Sequence, residues 1–154
     1  MSLEKISEKE AEFASDLLSA YWSERGMPQY GKAWARQYLK EGHTKETKSD
    51  EFFVLKEGGR PLGMVSLITD VSNVSEIRDL VVSTEFRGNG YGGKVLDELL
   101  VLAESRGIRK LFAMVFPEKQ GMYASRGFVK EGLLKSHFSH GEDLVIMSRF
   151  LSKG

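Results

Sequence analysis

The chain of 154 residues contains no cysteine. This excludes disulfides, thiolate metal sites and a covalent cysteine nucleophile together, so any chemistry must use other groups. Charge of a dominant sign is also missing, because 22 lysines and arginines balance 22 aspartates and glutamates. No overall field then draws the protein to nucleic acid or a membrane, and an anionic ligand has to be held by a local feature. The first residues, MSLEKISEKEAEF, carry charges throughout and contain no apolar run. We expect neither a signal peptide nor a transmembrane segment, and a cytoplasmic protein. Repeats and low-complexity tracts are absent too. The length suits one domain with a real core, taken as residues 1–154.

What is present reads as alternating helices and strands. Ser7 followed by Glu10 is a capping box, and Phe13, Ala14, Leu17, Leu18 and Tyr21 then recur on one helical face up to Arg25-Gly26. GMPQYG reads as a loop, and AWARQYLKEG as a second helix stopped by Gly42. EFFVLK and PLGMVSLI flank Glu57-Gly58-Gly59-Arg60 as a hairpin, and EIRDLVV follows as a third strand. KVLDELLVLAESRG places Val95, Leu96, Leu99, Leu100 and Ala103 on one stripe ended by Gly107. Then come strand KLFAMVF, a short helix over Gln120 to Ser125, and two closing strands, FVKEGLLKSHF and EDLVIMSRF. The pattern is α+β with a mixed sheet.

Between the third strand and the long helix lies RGNGYGGKV, residues 87–95, which satisfies three phosphate-binding patterns. As a dinucleotide fingerprint it starts too late, since Ser83 to Arg87 separate it from the strand end, where such a turn must be tight. As a P-loop it lacks the magnesium-binding hydroxyl, because Val95 follows Lys94. What remains is a glycine loop at a helix N-terminus. There, unpaired N–H groups and the helix dipole favour an anion such as pyrophosphate without a metal. Gly90 and Gly92 serve by having no side chain between those amides and a phosphate, and Arg87 adds positive charge at the entrance.

Strand EIRDLVV, spacer STEF, RGNGYG opening a long helix, strand KLFAMVF and then YASRGF together resemble the GCN5-related N-acetyltransferases, the GNAT superfamily. The likeness runs over roughly Phe52 to Phe150. It implies a mostly antiparallel mixed sheet flanked by helices, and acetyl-coenzyme A as the donor. It also implies a pantetheine arm along Leu80, Val81 and Val82, and a pyrophosphate ringed by Arg87, Gly88, Asn89, Gly90, Tyr91, Gly92 and Gly93. The acceptor would be a primary amine: a small amine, an amino acid or a protein N-terminus. Nucleic acid and membrane are not expected as partners, and a homodimer is left open, as is a longer acyl donor. A non-catalytic module that senses acyl-coenzyme A is the alternative.

A primary amine near pKa 10.4 is almost fully protonated at neutral pH, so a base must act before it attacks a thioester. Glu76, eleven positions before Arg87, matches the spacing of the base in part of the superfamily, and Asp79 is the second candidate. On a regular strand the two would face opposite sides unless a bulge intervened. The family places a bulge in this strand, which would free a backbone N–H, that of Leu80, for the thioester oxygen. Tyr123 matches the family's general-acid tyrosine and would serve the leaving thiolate. Many members carry an asparagine seven residues before that tyrosine, where this chain has Phe116. His137 and His140 lack a third ligand, and no metal is assigned. The tryptophans Trp22 and Trp34 are expected in the core.

Overall fold

A computed structural model describes residues 1–42 and 49–151. Its strands are β1 (Ser2–Lys5), β2 (Ser49–Glu57), β3 (Arg60–Thr69), β4 (Val74–Val82), β5 (Lys110–Val115), β6 (Val129–Phe138) and β7 (Glu142–Phe150). Its helices are α1 (Glu8–Glu24), α2 (Lys32–Glu41), α3 (Tyr91–Ser105) and α4 (Gln120–Ala124). Single 3₁₀ turns lie at Thr84–Phe86, Pro117–Lys119 and Ser139–Gly141.

Local chemistry accounts for most of these boundaries. Ser7 accepts from the Glu10 amide while the Glu10 side chain returns to the Ser7 amide, so the reciprocal cap starts α1 where the sequence places it. The β2–β3 hairpin closes through Gly58 and Gly59, whose φ values of 58° and 76° suit a turn that matches strand twist. β1 has no counterpart in the sequence reading. Its four residues pair antiparallel with β2, Ser2 opposite Lys56 through Lys5 opposite Phe53.

The seven strands form one sheet in the order β1-β2-β3-β4-β5-β7-β6. Every neighbouring pair is antiparallel except β4 and β5. Alternation along β3 feeds both faces. Val65 and Leu67 join one core with the α3 stripe Val95, Leu96, Leu99, Leu100 and Ala103. Met64 joins the opposite core with Ala14, Leu17 and Leu18 of α1 and Ala35 of α2. Truncating a fully buried leucine such as Leu99 costs about 2–5 kcal/mol at sites of this kind, so the α3 stripe anchors the helix whose N-terminus carries the glycines.

Two irregularities at the centre create the site. β4 and β5 pair only from Val74–Lys110 to Glu76–Phe112 and have no registered partners beyond, which opens a gap between their C-terminal halves. On its other side β4 pairs Arg78 with Ser66 and Val81 with Met64, so two residues, Asp79 and Leu80, stand opposite Val65 alone. Asp79 takes the strain of this bulge with φ 53°.

Candidate active site

A cleft of about 980 Å³ runs from the glycine loop through the β4/β5 gap to the inner faces of α1 and α2. At one end, Gly88 and Gly90 hold φ values of 80° and 79°, and Gly90 caps α3 in the left-handed region. Lys94 is the first helical donor, to the Gly90 carbonyl at 3.1 Å. The N–H groups of Tyr91, Gly92 and Gly93 therefore precede the ladder and project from the positive end of the helix dipole. Asn89 staples the loop, donating from Nδ2 to the Phe86 and Arg87 carbonyls at 3.1 and 3.2 Å. Tyr91 donates its hydroxyl to Glu57, and that bond raises its pKa. Both side chains thus shape the loop, leaving backbone groups for an anion.

Two arginines line this end of the cleft. Arg87 donates from Nε to the Val82 carbonyl at 2.9 Å and from Nη1 to Glu24 at 3.0 Å, so it ties the loop to α1. A second arginine, Arg126, also lines the cleft and reaches the α3 N-terminus, with Nε 2.8 Å from the Gly93 carbonyl and 3.0 Å from Asp97. Sequence reasoning passed over Arg126 inside YASRGF. Its only signal there was a basic residue beside an expected anion site.

In the middle of the cleft, the bulge brings both candidate acids to one wall, since Glu76, Asp79 and Leu80 all line it. Glu76 is 12 % exposed and accepts from Arg78 Nε through Oε2 at 2.8 Å. Its Oε1 has no hydrogen-bond partner among the described residues. Asp79 is engaged otherwise: its Oδ2 accepts from Tyr38 and from Ser66, each at 2.7 Å. Burial, followed by the nearby Asp79 charge, pushes the Tyr38 phenol far above its ordinary pKa, so Tyr38 stays a donor.

Tyr123, on α4, faces the same cleft and is 4 % exposed. Its ring meets Phe128 edge-on at 5.3 Å, and its hydroxyl makes no hydrogen bond among the described residues. Burial raises its pKa well above that of a free phenol, with a smaller contribution from Tyr21. The group is therefore a neutral donor at any working pH.

The far end is aromatic. Trp34 stacks on Tyr38 at 5.0 Å and Trp22 on Phe138 at 5.4 Å, with Tyr30 in contact with both tryptophans. Trp22 and Trp34 are half-buried and line the cleft, whereas the sequence reading placed them in the core. Their periodicity marks only the side that meets the protein, and Trp34 does pack against the α1 core from that side. Phe116, at the position of the family's asparagine, is buried against Phe138 at 5.2 Å. The Arg25 guanidinium lies 3.3 Å from the Phe116 ring centre and binds Glu118 and Glu142, which closes this end. No cluster of three potential metal ligands occurs among the described residues. No helix among them is long and apolar enough to cross a membrane.

Comparison with known proteins agrees with this architecture. The acetyltransferase (GNAT) family matches residues 12–128. An uncharacterized N-acetyltransferase of Methanocaldococcus jannaschii is 32 % identical over 133 residues, which cover 78 % of this chain and 58 % of that protein. An amino-acid acetyltransferase of Neisseria meningitidis is 29 % identical over 126 residues, 77 % of this chain and 28 % of the relative. The chain thus spans only part of the curated relatives it matches. Among solved structures, an aminoglycoside 6'-N-acetyltransferase complexed with coenzyme A superposes with a TM-score of 0.81 at 16 % identity, over 100 % of this chain and 99 % of that one. The spermidine/spermine N-acetyltransferase of Vibrio cholerae gives 0.77 at 21 % identity, over 99 % and 95 %. At such identities the structural likeness concerns the fold. Taken with the family match over most of its length, the glycine loop, splayed strands and bulge place this chain in the GNAT family of acetyltransferases.

Proposed function

We propose that the protein moves an acetyl group from acetyl-coenzyme A to a primary amine by direct attack on the thioester. The observation that carries this reading is the single cleft joining an anion-ready helix terminus, a stretch of β4 left unpaired on its β5 side and a neutral buried phenol. The donor supplies an activated acyl carbon. The amides of Tyr91, Gly92 and Gly93, with Arg126 beside them, would hold its pyrophosphate. Leu80 to Val82 would run along the arm that follows. Side chains are absent at Gly88 and Gly90, where a β-carbon would meet nothing within 4 Å, which leaves room for an extended phosphate ester; at Gly92 and Gly93 the corresponding space is taken by Met122 and Arg126.

The chain's own groups then divide the work. Glu76 takes the amine proton through its open Oε1, while Arg78 fixes the carboxylate from the other oxygen. The Leu80 N–H donates to the thioester oxygen as charge builds there. Tyr123 donates to the departing sulfur. Full transfer from an ordinary phenol near 10 to a thiolate near 8.5 is uphill by about 2 kcal/mol, and burial makes Tyr123 a still weaker acid, so it acts as a hydrogen-bond donor.

The acceptor end suits a cation. Tyr21, Trp22, Tyr30, Trp34 and Tyr38 line it, as do the acids Glu76, Asp79 and Glu118. Proteins of this fold named for spermidine, spermine and aminoglycosides are amine acetylators by title, which supports a small polar amine here. The test is amine-dependent release of free coenzyme A across a panel of polyamines, aminoglycosides, amino acids and peptides. Saturable release with at least one amine supports the proposal. Coenzyme A binding without release under any amine would favour the sensing module.

A further inference from the structure

Asp79 occupies a backbone conformation that L-residues avoid, in the middle of the strand whose bulge defines the site. Left alone, a strand of this composition would pair regularly with β3, and Asp79 would face away from Glu76. The deviation coincides with the carboxylate. Asp79 Oδ2 accepts from Ser66, the residue of β3 paired with Arg78 on the near side of the bulge, and from Tyr38 on α2, both at 2.7 Å. Ser66 is fully buried, and its single hydroxyl proton lies within reach of the Asp79 carboxylate and, at 3.1 Å, of the Arg78 carbonyl, the two residues at the start of the bulge. Hydrogen bonds to a charged acceptor are the stronger kind, and two of them outweigh the strain of one left-handed residue.

We propose that Asp79 is a positioning residue for acetyl transfer, a latch through which Ser66 and Tyr38 hold β4 in its bulged form and so aim the Leu80 amide into the cleft. The reading of the cleft as an acetyl-transfer site underlies the catalytic half of this statement. Two donors fill Oδ2, which fits an anchoring carboxylate. Glu76, with an open oxygen, fits the base. The latch also has a direction. Tyr38 is stacked on Trp34, so the aromatic wall that would receive the acceptor is tied by one hydrogen bond to the strand that would polarise the donor.

The test pairs amide NMR of the ligand-free protein with kinetics on Asp79→Ala, Asp79→Asn, Tyr38→Phe and Ser66→Ala. Asp79→Ala should shift the Leu80 amide resonance and lower kcat by about tenfold to a hundredfold, the range for a misaimed donor, with the acetyl-coenzyme A KM within about twofold. Asn tolerates the left-handed region and keeps a carbonyl oxygen, so Asp79→Asn should restore part of both signals. The loss should be the same at every pH. Tyr38→Phe keeps its ring packing and should move the Leu80 amide in the same direction, which covers the case in which Asp79→Ala fails to fold. An Asp79→Ala activity that climbs to the unmutated level at high pH would make Asp79 the base and overturn the proposal. So would a Leu80 amide unmoved in both Tyr38→Phe and Ser66→Ala. Should the unmutated protein show no acetyl transfer, the NMR arm still decides through the two variants remote in sequence from Leu80: a Leu80 amide shifted in Tyr38→Phe and Ser66→Ala upholds the latch, and one unshifted in both removes it.

Discussion

The guanidinium of Arg126 lies directly over the α-carbon of Gly93, so that a β-carbon there would stand 2.1 Å from Nη2. This relationship explains why a glycine is kept inside the first turn of α3, where alanine would favour the helix by about 1 kcal/mol. In Gly93→Ala, Arg126 swings away and gives up its bonds to the Gly93 carbonyl and Asp97. At about 1 kcal/mol each these two losses exceed the helix gain, so the variant should be less stable by about 1 kcal/mol. Coenzyme A affinity should fall about tenfold, as expected for one lost charge-assisted phosphate contact, and Arg126→Ala should match it. Titration calorimetry checks this, and unchanged affinity in both variants would remove Arg126 from the anion site.

The loop itself makes a sharper prediction. A β-carbon at Gly90 meets nothing within 4 Å, so the protein has room for a side chain and only the φ of 79° resists it. Gly90→Glu should therefore fold at a cost of about 1–2 kcal/mol while placing negative charge where the phosphates would lie. Acetyl-coenzyme A at a hundredfold over its dissociation constant should stabilise the unmutated protein by about 2.7 kcal/mol, with no such effect from NAD or ATP. The variant should show no stabilisation, and thermal melts with and without ligand decide it.

Trp34→Ala removes the stacked partner of Tyr38 and the central face of the aromatic wall. A cation held against one ring gains about 0.5–2 kcal/mol, so the amine KM should rise about twofold to thirtyfold, with the acetyl-coenzyme A KM unchanged. Equal changes in both constants would point to general loosening instead.

Glu10 sets the acid limit of α1. Its hydrogen bonds within the Ser7 cap, helped by Lys56, lower its pKa from an ordinary 4.5 to about 2. The folded state then binds fewer protons than the unfolded state between those values. The stability Glu10 contributes is present above pH 4.5 and is lost as the pH falls toward 2. Glu10→Gln should flatten the slope of stability against pH in that window and leave it unchanged near neutrality. Urea melts across the window test this, and an unaltered slope would contradict the assignment.

The order of elements from α1 to β7 was legible because each carries its own period and punctuation, as in the Ser7–Glu10 cap and the Val95–Ala103 stripe. β1 was not, since SLEK is short and polar and is a strand only because β2 offers an open edge. The glycine loop could be read from local spacing, and Tyr123 was singled out by the resemblance of YASRGF to the family. The two hydrogen bonds that engage Asp79 could not, because they join residues 13 and 41 positions apart through a left-handed residue that composition does not announce. Arg126 and the aromatic wall were hidden for a related reason: periodicity reports which side of a helix meets the core and is silent on what its flanks meet.

The central claim is that this cleft performs acetyl transfer with Tyr123 donating to the departing sulfur. Tyr123→Phe preserves the ring and its edge-on contact with Phe128 while deleting a hydroxyl that makes no hydrogen bond within the described protein. Stability and coenzyme A affinity should therefore hold, while kcat on the best amine falls about a hundredfold, at the low end of general-acid effects. The measurement is kcat of Tyr123→Phe alongside the unmutated protein at saturating acetyl-coenzyme A. A hundredfold loss with intact binding is the result this account predicts, and an unchanged kcat would contradict it.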